Sequence, residues 1–416
     1  MRKFKFFWLF FIMFNFVGIS QIAWAVDDSG SDQEGVQMVV DANNQFALEM
    51  FAQVSEQDSG NVFFSPYSVS TALAMTYEGA RGETADQIRS VFHYPEDDMT
   101  RRYNFARIYN LLNQPDQKYQ LNTANALWAQ EDYQFADEYF KVIDQYYGGK
   151  VTNMNFAAQP EPCRQTINNW VEDQTNDKIK DLIQSGQITP LTTLILTNAI
   201  YFKGTWKYQF DPEQTQEMDF RISPDEQVKV DMMFFDKNEE NQFNYAQTDQ
   251  FQILELPYDG ENLSMLILLP IIGTETKNFN CQEINLDLQQ IEEFKQLLTP
   301  QPVTIYLPKF KIETRYLLND CLTSLGMPLA FERRADFSGM TGYQDLIISL
   351  VIHQAFVEVN EEGTEAAAAT AVLMERTTTA IPRNVFKADH PFLFFIQDNR
   401  TGMILFMGRI TNPSEG

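Results

Sequence analysis

The sequence predicts an α+β fold, helix-rich in its first half and strand-rich from Leu194 onward. Three observations carry this expectation. Val36, Val39, Val40, Phe46, Ala47, Met50, Phe51 and Val54 recur at helical spacing. Residues 194–202 form a nearly continuous apolar run, as in a strand buried on both faces. Residues 392–396 and 403–410 are strand-like and flank the turn Gln397-Asp-Asn-Arg-Thr-Gly402, a terminal hairpin. The chain has 416 residues, 44% of them apolar, so a large core is available. No Pro/Gly-rich linker divides it, and residues 36–416 read as a single domain.

The elements follow in order. Arg2, Lys3 and Lys5 precede an apolar stretch over residues 6–19, and Ala23-Trp24-Ala25 is a small-x-small site. Residues 1–25 therefore predict a secretory signal peptide cut after Ala25, and a secreted protein, extracellular or periplasmic. An uncleaved membrane anchor is the alternative, for which the apolar stretch is short. Residues 26–35 are polar and predict a disordered lead-in before the first amphipathic helix. Residues 61–64 predict a short strand, after which Ser65 is an N-cap and Pro66 the first helical residue. Val69, Ala72, Leu73 and Thr76 mark the inward face of that helix, which stops near Gly79. Thr84-Ala-Asp-Gln87 has the form of a capping box, and residues 165–183 predict another helix around Trp170, Ile179 and Leu182. Residues 251–256, 264–269 and 303–307 predict further strands.

Composition excludes several functions. The formal net charge is −26, and loss of the three basic residues of the signal peptide makes it −29. Such a surface repels nucleic acid, heparin-like polyanions and anionic lipid. Cys163, Cys281 and Cys321 are too few and too scattered for a disulfide framework, and one bridge or three free thiols are both compatible with them. There is no C-x-x-C and no other metal-ligand spacing. Only His93, His353 and His390 could serve as imidazole bases, and no hydrolase or nucleotide-binding motif accompanies them. No catalytic residue, cofactor or metal is expected.

The function is carried by residues 350–392. Residues 350–359 alternate as a strand and lead into Glu361-Glu362-Gly363-Thr364-Glu365-Ala366-Ala367-Ala368-Ala369-Thr370. Alanine content alone makes residues 365–371 a helix candidate. The run lacks an apolar docking face, however, and its distinctive property is small size. As a strand it would place Thr364, Ala366, Ala368 and Thr370 on one side, where small side chains could slide between existing strands. Gly363 would supply a hinge.

This hinge resembles that of the inhibitory serpins. Asn61-Val-Phe-Phe-Ser-Pro-Tyr-Ser68, Thr197-Asn-Ala-Ile-Tyr-Phe-Lys-Gly-Thr-Trp206, Leu307-Pro-Lys-Phe310, Ala335-Asp-Phe-Ser-Gly339 and Asp389-His-Pro-Phe392 resemble further signatures of that family, in the same order. The resemblance covers about residues 36–413. It implies the serpin fold: a helix-rich N-terminal half, a large central β-sheet, smaller sheets and an exposed reactive-centre loop at about residues 361–380. It implies a suicide substrate of serine proteases, monomeric, which forms a covalent complex. Insertion of a strand into a β-sheet is a known recognition mode, with serpins among its examples.

The resemblance also implies residue roles. Ser65, Ser68, Asn198 and His353 match a polar network under the point where the sheet opens, and Trp206 matches a tryptophan at the top of that sheet. Each also suits an ordinary satisfied core position. The family spacing puts the cut bond 14 residues after Gly363, at Thr377-Thr378, which suits an elastase- or subtilisin-type protease. A register one residue shorter gives Arg376-Thr377 and a trypsin-like target. No dense basic patch follows His93, so heparin activation is not expected. A non-inhibitory carrier, chaperone or storage protein is the alternative function, against which the uniformly small hinge argues.

Overall fold

Asp32 starts the first helix by accepting a hydrogen bond from the Gly35 amide at 2.7 Å. The computed structural model describes residues 25–115, 117–236, 242–272, 286–364 and 384–415. Its first half comprises α1 Gln33–Gln57, β1 Val62–Phe64, α2 Pro66–Tyr77, α3 Gly82–Phe92, α4 Asp98–Leu112, β2 Tyr119–Gln130, α5 Asp137–Tyr146, β3 Lys150–Met154 and α6 Pro160–Gln174. Strands then dominate: β4 Leu194–Thr205, β5 Gln216–Ser223, β6 Glu226–Phe235, β7 Phe243–Gln247, β8 Phe251–Pro257 and β9 Leu263–Pro270. α7 Leu288–Leu297, β10 Thr299–Gln301, β11 Val303–Pro308, β12 Phe310–Leu317, α8 Asn319–Leu325 and α9 Ser338–Thr341 follow. The chain ends with β13 Ile348–Val359, β14 Gly363–Thr364, β15 Asn384–Lys387, β16 Phe392–Asp398 and β17 Ile404–Ile410.

Among the described residues these strands form three sheets, ordered β12-β13-β14-β4-β2-β3, β1-β17-β16-β9-β8-β7-β10 and β15-β11-β6-β5. The first is the central sheet. Its strand β4 explains the unbroken apolar run read from the sequence. Leu194, Leu196, Ile200 and Phe202 face the main core with α2, whereas Ile195, Ala199 and Tyr201 face α6 and its Ile167 and Val171. With both faces covered there is no solvent side on which polar residues would alternate.

The expected α2 is present: the Ser65 hydroxyl accepts from the Ser68 amide, and Pro66 opens the helix. The terminal hairpin is also present, as β16 paired antiparallel with β17.

Three local expectations are corrected. The lead-in over residues 26–35 is ordered where it is described. The Val26 side chain is buried, the Asp27 amide donates to the Gln145 carbonyl at 2.8 Å, and α1 already begins at Gln33. Thr84 and Gln87 do not cap α3, which begins at Gly82. Instead they accept hydrogen bonds from the amides of Asp336 and Leu329, so tertiary partners claimed the groups. The helix expected over 165–183 is α6, which ends at Gln174. Asn176, Asp177 and Asp181 take positive φ, which breaks the helix while Ile179 and Leu182 are still buried under the sheet.

Candidate functional site

Three adjacent strands bring three polar side chains into one row of the central sheet. β13 pairs parallel with β4 so that His353 sits beside Asn198, and β2 pairs antiparallel with β4 so that Asn198 sits beside Asn125. Residues two away on each strand, such as Val351, Leu196 and Leu127, belong to the main core, so the row points at α2. There it meets the capped N-terminus of that helix, with Ser65 and Ser68 fully buried.

The protonation pattern follows from the donors. The Ser65 amide donates to His353 Nε2 at 3.0 Å, so that nitrogen carries no proton. Nδ1 therefore holds the proton and donates to Asn198 Oδ1. Asn198 Nδ2 donates to Ser68 Oγ at 2.6 Å and to Asn125 Oδ1 at 2.5 Å. Ser68 Oγ donates to Asn125 Oδ1 at 3.0 Å, and Ser65 Oγ to the Leu405 carbonyl at 2.6 Å. Complete burial lowers the His353 pKa to about 3, only partly opposed by the bond to Asn198, so the ring is neutral.

The hinge begins at the top of the same sheet. Gly363 and Thr364 lie between β13 and β4, with Gly363 opposite Thr205, Thr364 opposite Gly204, and Val359 opposite Thr364 on the other side. A Cβ on Gly363 would lie 2.0 Å from the Gly204 carbonyl oxygen, so close backbone approach demands glycine there. Thr364 is fully buried, and its hydroxyl meets the Tyr258 hydroxyl at 2.7 Å. Below this point β13 and β4 pair directly with each other.

Trp206 and Glu361 anchor that turn. The Trp206 amide donates to the Glu362 carbonyl at 2.8 Å, its indole Nε1 to the Asn360 carbonyl at 3.0 Å, and its ring stacks on Tyr258 with centroids 4.6 Å apart. The Glu361 carboxylate accepts from the Thr215 hydroxyl at 2.8 Å and pairs with Lys309 at 3.3 Å. Burial would raise its pKa, but these two partners hold it below the usual carboxylate value. Lys309 belongs to the Leu307-Pro-Lys-Phe310 signature, so that motif fastens the foot of the hinge.

The structure thus joins Ser65, Ser68, Asn198 and His353 in one network and places Trp206 against the hinge. Glu361, Glu362, Gly363 and Thr364 are described. Glu365 to Thr370, Arg376, Thr377 and Thr378 lie outside the described residues, as do residues 1–24 and Cys281. Cys163 and Cys321 are buried free thiols. Among the described residues no cluster of metal-ligating side chains occurs, and no helix is long and apolar enough to cross a membrane. Sequence reasoning missed Asn125 and Tyr258. Asn125 was marked only by being an amide in a phase of β2 that also holds Tyr119, Leu121, Leu127 and Ala129.

Residues 41–413 match the family model described as Serpin (serine protease inhibitor). The chain is a serpin. It is 43% identical over 394 residues to an uncharacterized serpin-like protein of Methanosarcina acetivorans, covering 93% of this chain and 89% of the relative. It is 41% identical over 377 residues to the human leukocyte elastase inhibitor, covering 89% of this chain and 98% of the relative. Among solved structures, the serpin fold of Serpin48, a highly specific serpin of the insect Tenebrio molitor, superposes with a TM-score of 0.77 at 33% identity. That match covers 92% of this chain and 98% of the other.

In this serpin the basic residues after His93 are already engaged. Arg101 is buried against Glu78 and Asp98, each at 2.9 Å, Arg102 pairs with Glu78 at 2.6 Å, and Arg107 with Asp28 at 3.2 Å. Glu78 is held below its usual pKa by these guanidinium groups, although burial opposes it.

Proposed function

We propose that this serpin is an irreversible suicide-substrate inhibitor of serine proteases. One observation carries the proposal: the hinge has begun a strand, Gly363–Thr364, between β13 and β4, which are otherwise zipped together. A protease that attacks the loop forms an acyl-enzyme. The freed hinge then continues downward, parting the two strands and carrying the attached protease with it.

The register of β14, extended past Thr364, is the one that this mechanism would use. Continued from Gly204 opposite Thr364 and Val359 opposite Thr364, it sets Ala366 between Phe202 and Val357, Ala368 between Ile200 and Ala355, and Thr370 between Asn198 and His353. Thr370 would replace the hydrogen bond between those two side chains with its own hydroxyl. In the alternate row Glu365 would fall between Lys203 and Glu358, which are half-buried, and Ala367, Ala369 and Ala371 would pass beneath α6. From Ala366 downward both faces of this sheet are covered, so there both rows of the hinge have to be small. That accounts for the unbroken run of alanines better than one small face does.

Met374 would reach Leu194, the first residue of β4. Thr377-Thr378 and the alternative Arg376-Thr377 both lie just past that far end, where a tethered protease would be pressed against the base of the molecule. Insertion breaks one parallel ladder and makes two antiparallel ones, a net gain of roughly ten hydrogen bonds at about 0.5–1.5 kcal/mol each. A displacement of the order of 1 Å in the protease active site already costs about two orders of magnitude in rate, so this suffices to stall deacylation.

The target we propose is an elastase- or subtilisin-type protease cutting at Thr377-Thr378, with a trypsin-like protease cutting at Arg376-Thr377 as the second candidate. We also propose export through the signal peptide of residues 1–25. Incubation with such proteases should give a complex stable to SDS, and the mass of the released C-terminal fragment identifies the bond. Proteases that cut the loop and turn over without any stable complex would favour the non-inhibitory alternative.

A further inference from the structure

A cavity opens beside the polar network of Ser65, Ser68, Asn198 and His353, the gate of the proposed insertion, where Asn125 joins it. β3 pairs with β2 only from Ala126 onward, so the edge of β2 at Thr123–Asn125 is left uncovered. Tyr67 of α2, Tyr109 of α4 and Trp170 of α6 close a cavity of about 260 Å³ over that edge, with Asn125 and Lys150 in its wall. Gly148 and Gly149 let the chain cross tightly here: a Cβ on Gly148 would lie 2.7 Å from the Tyr109 ring, and one on Gly149 2.4 Å from the Met75 sulfur.

Two groups in this wall lack partners suited to them. Asn125 spends its carboxamide oxygen on Ser68 and Asn198, and among the described residues its amide nitrogen makes no hydrogen bond. The Lys150 ammonium sits 5.0 Å from the Trp128 ring and 4.9 Å from the Trp170 ring. Burial lowers its pKa, and no carboxylate among the described residues offsets that effect. In a chain of net charge −26, this half-buried lysine is held by two indoles and faces no acid among the described residues.

We propose that this cavity binds a small aromatic anion, whose acid group pairs with Lys150 and accepts from the Asn125 amide while its ring packs among Tyr67, Tyr109 and Trp170. The volume is below the ~300 Å³ at which drug-sized sites begin, so the occupant has a single ring. Asn125 is shared with the gate row. An occupant that fixes its amide ties Asn125, and with it β2 and β4, to Ser68 of α2, and so slows the slide of β4 away from β13. The cavity is thereby a ligand-controlled brake on loop insertion. This coupling rests on the insertion mechanism above, whereas the binding does not.

The test uses the intact protein, with 4-hydroxyphenylacetate as probe and its neutral amide as control, by isothermal titration calorimetry. The acid should bind with one-to-one stoichiometry, at least about tenfold more tightly than the amide, as a charge-assisted hydrogen bond dictates. Lys150→Gln should erase that preference and Lys150→Arg should keep it. Absence of saturable binding, equal binding of acid and amide, or a preference unchanged in Lys150→Gln overturns the site. For the brake, the loop is cut with a non-target protease and the gain in heat stability is followed over time. The acid should slow that gain severalfold in the wild type and not in Lys150→Gln, and an unchanged rate overturns the coupling. If the cut loop never inserts, with or without probe, the inhibitory function and the coupling both fall, while calorimetry still decides the site.

Discussion

His353 and Asn198 are hydrogen-bonded across the parallel pair β13 and β4, at the level where the continued hinge register would set Thr370. Under the insertion mechanism proposed above, this bond is the one that insertion would have to replace, and its strength would set how readily the sheet opens.

Thr364→Arg should convert the inhibitor into a substrate. Thr364 is already buried between β13 and β4 and bonded to Tyr258, so an arginine there would expel the hinge from the sheet, and insertion would then have to bury the unpaired charge. Only about 1.4 kcal/mol of added barrier slows insertion tenfold, so the excess of the inhibition stoichiometry over one, which is the ratio of deacylation to insertion, should rise by at least about that factor. A titration of active protease checks this; unchanged stoichiometry contradicts the proposed insertion path.

Acid should weaken the gate through His353. The unfolded imidazole takes up a proton near pH 6.5, whereas the folded one, with its pKa at about 3, refuses it. The unfolded state thus binds more protons between these values, and the stability is full above pH 6.5 and declines as pH falls toward 3. The whole effect is about 5 kcal/mol. Urea unfolding of the wild type and of His353→Gln, which does not titrate, isolates it. The wild-type advantage should shrink by about 3 kcal/mol between pH 7 and pH 4, and a difference independent of pH would show that His353 is not the group responsible.

Trp206→Phe should loosen the top of the sheet without disturbing the gate row. It removes the indole bond to the Asn360 carbonyl and reduces the stacking on Tyr258. A loss of about 1–2 kcal/mol in unfolding free energy is expected. Amide exchange of the Glu362 and Gly363 N–H groups should quicken, while exchange of the Ser65 N–H bonded to His353 should not. Equal acceleration at both places would mean that the two regions open as one unit.

Cutting the loop should raise the melting temperature sharply, because a strand that gains two ladders for one replaces a sheet that is open at one end. The comparison is a calorimetric scan of intact and loop-cut protein. A melting temperature that stays put argues against a strained native state.

Much of this site was legible in the chain itself. Small residues around Gly363, the apolar run of β4 and the N-cap at Ser65 are local features, and local patterns report them faithfully. The partners were not legible. Asn125 joins Ser68 and Asn198 across sequence separations of 57 and 73 residues, and the Ser65 amide finds His353 at a separation of 288. Thr84 and Gln87 had a capping pattern, yet tertiary donors took their oxygens.

The sequence by itself determined the family, through motifs in order; it also named the hinge from residue size and periodicity, and the network of Ser65, Ser68, Asn198 and His353 from resemblance. Only the tertiary structure decided that β4 is covered on both faces, that Asn125 joins Ser68 and Asn198, and that residues 26–32 are fastened to α4 and α5. The reason is physical. A sheet covered on both faces and a hydrogen bond closed across three strands exist only once distant segments have packed, and no local pattern encodes which segments those will be.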